Sequence, residues 1–153
     1  MSGHRVAVGA DHAGFDLKEE IKSFLDERGE IVEDYGTDSR DSVDYPDYGR
    51  RVAEAVSAGR VPFGILTCGT GIGMSIVANK HPGVRAALVQ DLYSARMARE
   101  HVDANLLILG ARVTRPDLAR QFVEMWLDAE FQGDRHQRRI NKIAELDKEK
   151  ATS

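Results

Sequence analysis

The chain has 153 residues, 42% of them hydrophobic and 30% charged, with a net charge of −4 and one cysteine. That length suits one domain, 1–153, with a core of its own, and the acidic balance argues against a general nucleic-acid or anionic-membrane binder. No stretch approaches the ~20 apolar residues of a membrane span, and a lone thiol excludes an internal disulfide and fits a reducing compartment.

Arg5–Ala10 reads as a strand that ends in Gly9-Ala10-Asp11-His12. Its apolar run, Val6 to Ala10, is too short for a signal-peptide core, so a cytoplasmic protein is expected. Phe15–Arg28 reads as a helix, with Phe15, Leu17, Ile21, Phe24 and Leu25 mostly on one face and Gly29 as the stop. Ile31–Tyr35 is a strand interrupted by acids, and Thr37–Asp44 is a polar loop. Asp44 as N-cap and Pro46 in the first turn open a helix to about Ala58. Phe63–Thr67 is a short buried strand; Gly69, Gly71 and Gly73 follow it and lead into a short helix to about Lys80. Val84–Val89 is the next strand, Leu92–Glu100 the next helix and Leu106–Leu109 the last strand. Pro116 opens a helix to about Glu130, Gly133 breaks the pattern, and a charged helix runs on from about Arg135. This alternation predicts an α/β fold, a parallel sheet of about five strands with helices on both faces. Ligands of such sheets bind beyond the strand C-termini, and polar residues stand at those ends in Asp11-His12, Cys68 to Gly73 and Gly110-Ala111-Arg112.

The segment Thr67-Cys68-Gly69-Thr70-Gly71-Ile72-Gly73-Met74-Ser75 carries most of the chemistry. Its glycines let several backbone N–H groups converge at a helix start, which suits an anion. It is not a Walker loop, and Met74 stands where a dinucleotide fingerprint wants a third glycine. A tight strand-to-helix turn without a ligand fits the same pattern. Cys68 at its mouth is placed to act as a thiolate or, equally, as a small buried hydrophobe; the adjoining cradle favours a base whose negative product is stabilised next door. Asp11 can cap the helix after it or, with His12, hold sugar hydroxyls. His101 ends a helix, where it suits the dipole or serves as an acid. Arg135 and Arg139 share a helix face and suit a phosphate, although a solvated basic stripe with Arg138 and Lys142 explains them as well. Ile140, Ile143, Ala144 and Leu146 on that helix need cover from the domain or from a partner subunit. No metal-ligand spacing is visible, so neither metal nor cofactor is expected. Asp91, about 20 residues beyond the glycine loop, leaves a nucleotide-binding module as a reading from another class.

Gly9-Ala10-Asp11-His12-Ala13-Gly14, Asp44-Tyr45-Pro46, Cys68 through Lys80, Arg99-Glu100-His101 with Asn105, Gly110-Ala111-Arg112 and Arg135 through Arg139 occur in this order between Arg5 and about Leu146. Together they resemble the type B ribose-5-phosphate isomerases and the wider family that includes galactose-6-phosphate isomerase subunits. The resemblance implies a Rossmann-like three-layer α/β/α sandwich and a homodimer or dimer of dimers. Its active sites would be built across the interface, with the C-terminal helix (about 135–150) contributing to the dimer. It further implies that Cys68 moves the proton between C2 and C1, that Thr70 and the N–H groups of Gly69, Gly71, Ile72 and Gly73 hold the enediolate, and that His101 opens the furanose ring. Asp11 and His12 would contact the sugar, and Arg112, Arg135 and Arg139 the phosphate or sugar. Another branch of the family uses a Glu base at the position of Met74, so this chain is similar to the Cys-base branch. The family usually has Asn after the His, where this chain has Val102, which leaves allose 6-phosphate, galactose 6-phosphate or a tetrose phosphate as alternative substrates; Asn105 is a candidate to replace the missing amide.

Overall fold

The computed structural model describes residues 3–152, with side chains as far as Lys150. Its strands are β1 (Arg5–Ala10), β2 (Ile31–Asp34), β3 (Phe63–Cys68), β4 (Ala86–Leu88) and β5 (Leu106–Gly110). Its helices are α1 (Phe15–Glu27), α2 (Tyr45–Ser57), α3 (Ile72–Ala78), α4 (Leu92–Glu100), α5 (Pro116–Asp128) and α6 (Arg135–Thr152). Every pairing is parallel, in the order β2-β1-β3-β5-β4. The expected α/β architecture is what the chain forms. The expected strand Val84–Val89 is shorter, because the Val84 N–H turns back to the His81 carbonyl and the ladder begins only at Ala86.

Alternation along the central strands sorts the core into two layers. Val6, Val8, Ile65, Leu107 and Leu109 point to α1, α4 and α5, where Ile21, Leu25, Phe122 and Trp126 meet them. Ala7, Leu66, Cys68, Leu106 and Ile108 point to the other side, against Val52 and Ala53 of α2 and Met74 and Ala78 of α3. Trp126 is fully buried and its indole N–H donates to the Ala104 carbonyl at 2.9 Å, so its polar atom is satisfied.

Two consequences of this winding position the chemistry. The chain leaves β1 for β2 on one side and returns to β3 on the other, which makes the β1/β3 boundary a topological switch point with a crevice beyond the two strand ends. Each helix then carries the chain back to the opposite end of the sheet. That base is stitched by the Arg99 guanidinium, whose carbon lies 4.5 Å from the Phe63 ring centroid and 5.1 Å from that of Trp126, and by Arg28 on Asp128 at 2.8 Å.

Candidate active site

At the switch point the end of β3 runs into the glycine turn. Gly71 has φ +84°, a left-handed conformation that side chains disfavour, and a Cβ there would sit 2.5 Å from Leu88. The turn brings the Gly71 N–H onto the Cys68 sulfur at 3.2 Å. Cys68 retains 5% of its surface, with its backbone in β3 and its sulfur under this N–H. The Ile72 N–H donates to the Thr70 hydroxyl at 3.3 Å, which leaves the N–H groups of Thr70 and Gly73 without a partner among the described residues.

Neighbouring loops close on this turn. The Ala111 N–H donates to the Cys68 carbonyl and the Arg112 N–H to the Gly69 carbonyl, which lays the Arg112 guanidinium over Gly69. Thr67 Oγ1 donates to the Gly14 carbonyl at 2.8 Å, clamping the loop after β1 against β3. Inside that loop Asp11 Oδ1 accepts the Gly14 N–H at 2.9 Å; Gly14 is itself the N-cap of α1, which has no side-chain cap, so Asp11 ties the loop rather than capping the helix, and its Oδ2 makes no hydrogen bond among the described residues. His12 Nδ1 accepts the Val43 N–H at 3.1 Å, which puts the ring proton of a neutral His12 on Nε2, a donor. Asp11, His12, Cys68, Gly69, Thr70, Gly71, Ile72, Gly73 and Arg112 therefore gather at one end of the sheet, where β1, β3 and β5 finish. Met74 is buried against Gly49 and faces the core.

His101, Arg135 and Arg139 are elsewhere. The α4–β5 connection, which holds His101, packs at the strand N-termini: Asn105 bonds the Arg85 and Gly83 backbone, and Arg99 stacks on Phe63 at the start of β3. Cys68 is at the other end of β3, five residues on from Phe63, or about 16 Å at ~3.3 Å per residue. One chain thus brings the cradle together and leaves the expected acid and two of the arginines at the far end of the sheet. There the His101 ring stacks on His136, and Arg135 and Arg139 flank that pair as exposed, unpaired cations among the described residues. Burial first, and then the neighbouring His101 and the two arginines, push His136 below the ordinary histidine range.

Two expectations are corrected, and a third holds in position only. Asn105 is engaged in holding the backbone, its Oδ1 accepting from the Arg85 N–H and its Nδ2 donating to the Gly83 carbonyl, rather than standing free to replace an amide at Val102. Asp91 is the N-cap of α4, its carboxylate taken by the Ser94 N–H and hydroxyl, which removes the ribose-binding acid of the nucleotide-module reading. Asp44 occupies the N-cap of α2 but makes no side-chain capping bond. Two residues of the quoted stretches were given no role by sequence reasoning. Tyr45 lies on Gly73 so closely that a Cβ there would be 2.3 Å from its ring. His136 is buried in a run that is otherwise basic; its only signal is the i, i+4 spacing to the buried Ile140. Among the described residues no group of three or more His, Cys, Asp or Glu is placed to hold a metal ion.

The model of the Ribose/Galactose Isomerase family matches residues 6–143. Ribose-5-phosphate isomerase B of Escherichia coli is 48% identical over 94% of this chain and 96% of its own length. D-erythrulose-4-phosphate isomerase of Pectobacterium atrosepticum is 46% identical over 90% of this chain and 91% of its own. The solved structure of Clostridium thermocellum ribose-5-phosphate isomerase B is 54% identical, superposes with a TM-score of 0.93, and covers 95% of this chain and 98% of its own.

Proposed function

Because the chain belongs to the Ribose/Galactose Isomerase family, we propose that it interconverts D-ribose 5-phosphate and D-ribulose 5-phosphate, an aldose–ketose isomerisation through an enediolate that serves pentose phosphate metabolism. The observation that carries this reading is the Cys68 sulfur under the Gly71 N–H, at the strand end where the loop holding Asp11 and His12 is clamped onto β3 and the Arg112 guanidinium lies over Gly69.

His101 gives a proton to the furanose ring oxygen as the C1–O bond breaks, and the anomeric hydroxyl loses its proton to leave the open aldehyde. Cys68 removes the C2 proton, and the electron pair moves through the carbon–carbon bond onto the C1 oxygen. Thr70 and the free N–H of Gly73 face the enediolate. Cys68 returns its proton to C1 while the proton of the C2 hydroxyl passes to the C1 oxygen, which yields the ketose; C1 is reduced and C2 oxidised within one molecule. Asp11 Oδ2 and His12 Nε2 hold hydroxyls, and Arg112, Arg135 and Arg139 hold the phosphate.

The separation of Cys68 from His101 within one chain supports a homodimer, or a dimer of dimers. There His101, Arg135 and Arg139 of one copy complete the cradle of the next, and α6 contributes to the contact. Ile143 and Leu146 of α6, about half exposed, and the exposed Ile72, Ile76 and Tyr93 give such a contact apolar surface. A cysteine base suits a reducing, cytoplasmic setting. A second reading, a tetrose phosphate as the preferred substrate, is favoured by the Pectobacterium relative and by Val102, which is 37% exposed and has no polar side chain to offer a hydroxyl.

The test is a panel of ribose, allose, galactose and tetrose phosphates with the purified chain and Cys68→Ala. Ribose 5-phosphate should give the highest kcat/KM, and Cys68→Ala should lower it about 10²–10⁴-fold. No turnover of ribose 5-phosphate, or near-normal turnover by the variant, overturns the reading.

A further inference from the structure

The base of the sheet holds a second imidazole that the mechanism above does not use. His136 lies in the first turn of α6 with 4% of its surface exposed, and its ring is face to face with His101, centroids 4.1 Å apart and planes 14° from parallel. No hydrogen bond or ion pair holds the His101 imidazole among the described residues, so this stack is the contact that sets its plane. His136 is itself anchored. Its N–H donates to the Gly133 carbonyl at 2.9 Å, and Ile140 one turn on is buried. Gln132 bonds Glu100, the residue before His101, through both its backbone and its side chain. The spacing between the two rings is thus fixed by the meeting of α4 with the α5–α6 connection.

The charged groups facing His136 are His101 from the end of α4, Arg135 and Arg139 on α6, and Asp134 just before it. Of these only Asp134 favours a charged ring, and burial disfavours one. His136 Nε2 is buried without a partner, a position that a neutral imidazole tolerates better than a cation.

We propose that His136 is a positioning residue for ring opening, a flat platform that holds the His101 imidazole in the plane from which it protonates the furanose oxygen. His136 transfers no proton; the proton that reaches the ring oxygen is the one His101 carries. The inference deepens the proposed function and rests on its assignment of His101. It also separates two steps. Ribose 5-phosphate must be opened. Ribulose 5-phosphate has its O5 phosphorylated, cannot close a five-membered ring, and meets Cys68 already open.

The experiment uses the full chain, its His136→Ala and His136→Phe variants, and two readouts. One is steady-state turnover of ribose 5-phosphate; the other is exchange of the C1 hydrogen of ribulose 5-phosphate with D2O, followed by proton NMR. His136→Ala should lower the first about tenfold or more, the cost of a misaimed group, and leave the second within about twofold of wild type. His136→Phe, which keeps a flat ring under His101, should restore most of the first. Equal falls in both readouts mark a merely structural role and overturn the proposal, as does an alanine variant that opens ribose 5-phosphate at the wild-type rate. A wild-type chain inactive on ribose 5-phosphate overturns the proposed function and this inference together; an active one with an indifferent His136→Ala overturns this inference alone.

Discussion

Inactive variants of two kinds should restore each other when mixed. Cys68 ends β3 and His101 lies beside the start of the same strand, roughly 16 Å away at ~3.3 Å per residue. A general acid works at about 2.6–3.2 Å from its target, so no single chain can apply both groups to one sugar. Each site of the proposed dimer then takes Cys68 from one copy and His101 from the other. Cys68→Ala and His101→Ala homodimers should each lose about 10²-fold or more. Co-expressed and paired at random, half of the pairs are mixed. In each mixed pair one site carries both lesions and the other carries neither. About a quarter of all sites are then intact, in a dimer or in a dimer of dimers. The assay is ribose 5-phosphate turnover by the co-expressed protein, with two affinity tags to prove that mixed pairs have formed. Mixed pairs that are present yet no more active than either parent would refute the shared site and the role of His101 with it.

Other consequences are local. Asp34 accepts from Lys18 Nζ at 2.9 and 2.7 Å and from Lys22 at 2.7 Å, and Lys18 is only 1% exposed. Burial raises the Asp34 pKa, but these two lysines hold it below the ordinary carboxylate value. A depressed folded pKa stabilises fully above the unfolded value and is lost as pH falls through the folded one. Asp34→Asn should therefore cost about 2 kcal/mol at pH 7, discounted for the partial exposure of Asp34. In urea titrations the gap should narrow as pH drops below about 4; a gap that does not narrow at all on acidification would contradict the ion-pair origin. Gly73→Ala should cut turnover because its Cβ would displace the Tyr45 ring, and Tyr45→Ala in the same chain should relieve the clash; losses that simply multiply would show that the two do not meet. A chelator should leave turnover unchanged, and strong inhibition would reveal a metal in the reaction.

The strands and helices were legible because their punctuation is local: Gly29, Pro46, Pro116 and Gly133 fall at or near element ends that the fold reproduces. The cradle was legible for the same reason, since Cys68 and its glycines are contiguous and a parallel sheet brings the loop after β1 beside them. The shortened β4 was not, because Val84 looks like strand and is taken by a turn to His81. Tyr45 and His136 were not legible, because their meaning lies in one contact each, a ring on Gly73 and a ring on His101, and neither contact leaves a period in the chain.

The place of His101 is a different case, since the element order already contains it. In a parallel sheet the helix after a strand returns the chain to the base, so a residue ending α4 must lie opposite a residue ending β3. Motif reading sets His101 beside Cys68 because both suit one reaction; topology sets them apart because both belong to one sheet. These demands agree only if the reaction has two chains. The exposed Ile72 and Ile76 on α3 at the cradle, and Ile143 and Leu146 on α6 beyond His136, fit that solution. Apolar surface at both ends of a molecule is a liability in a monomer and a seam in a pair whose sites are completed by the same contact that buries it.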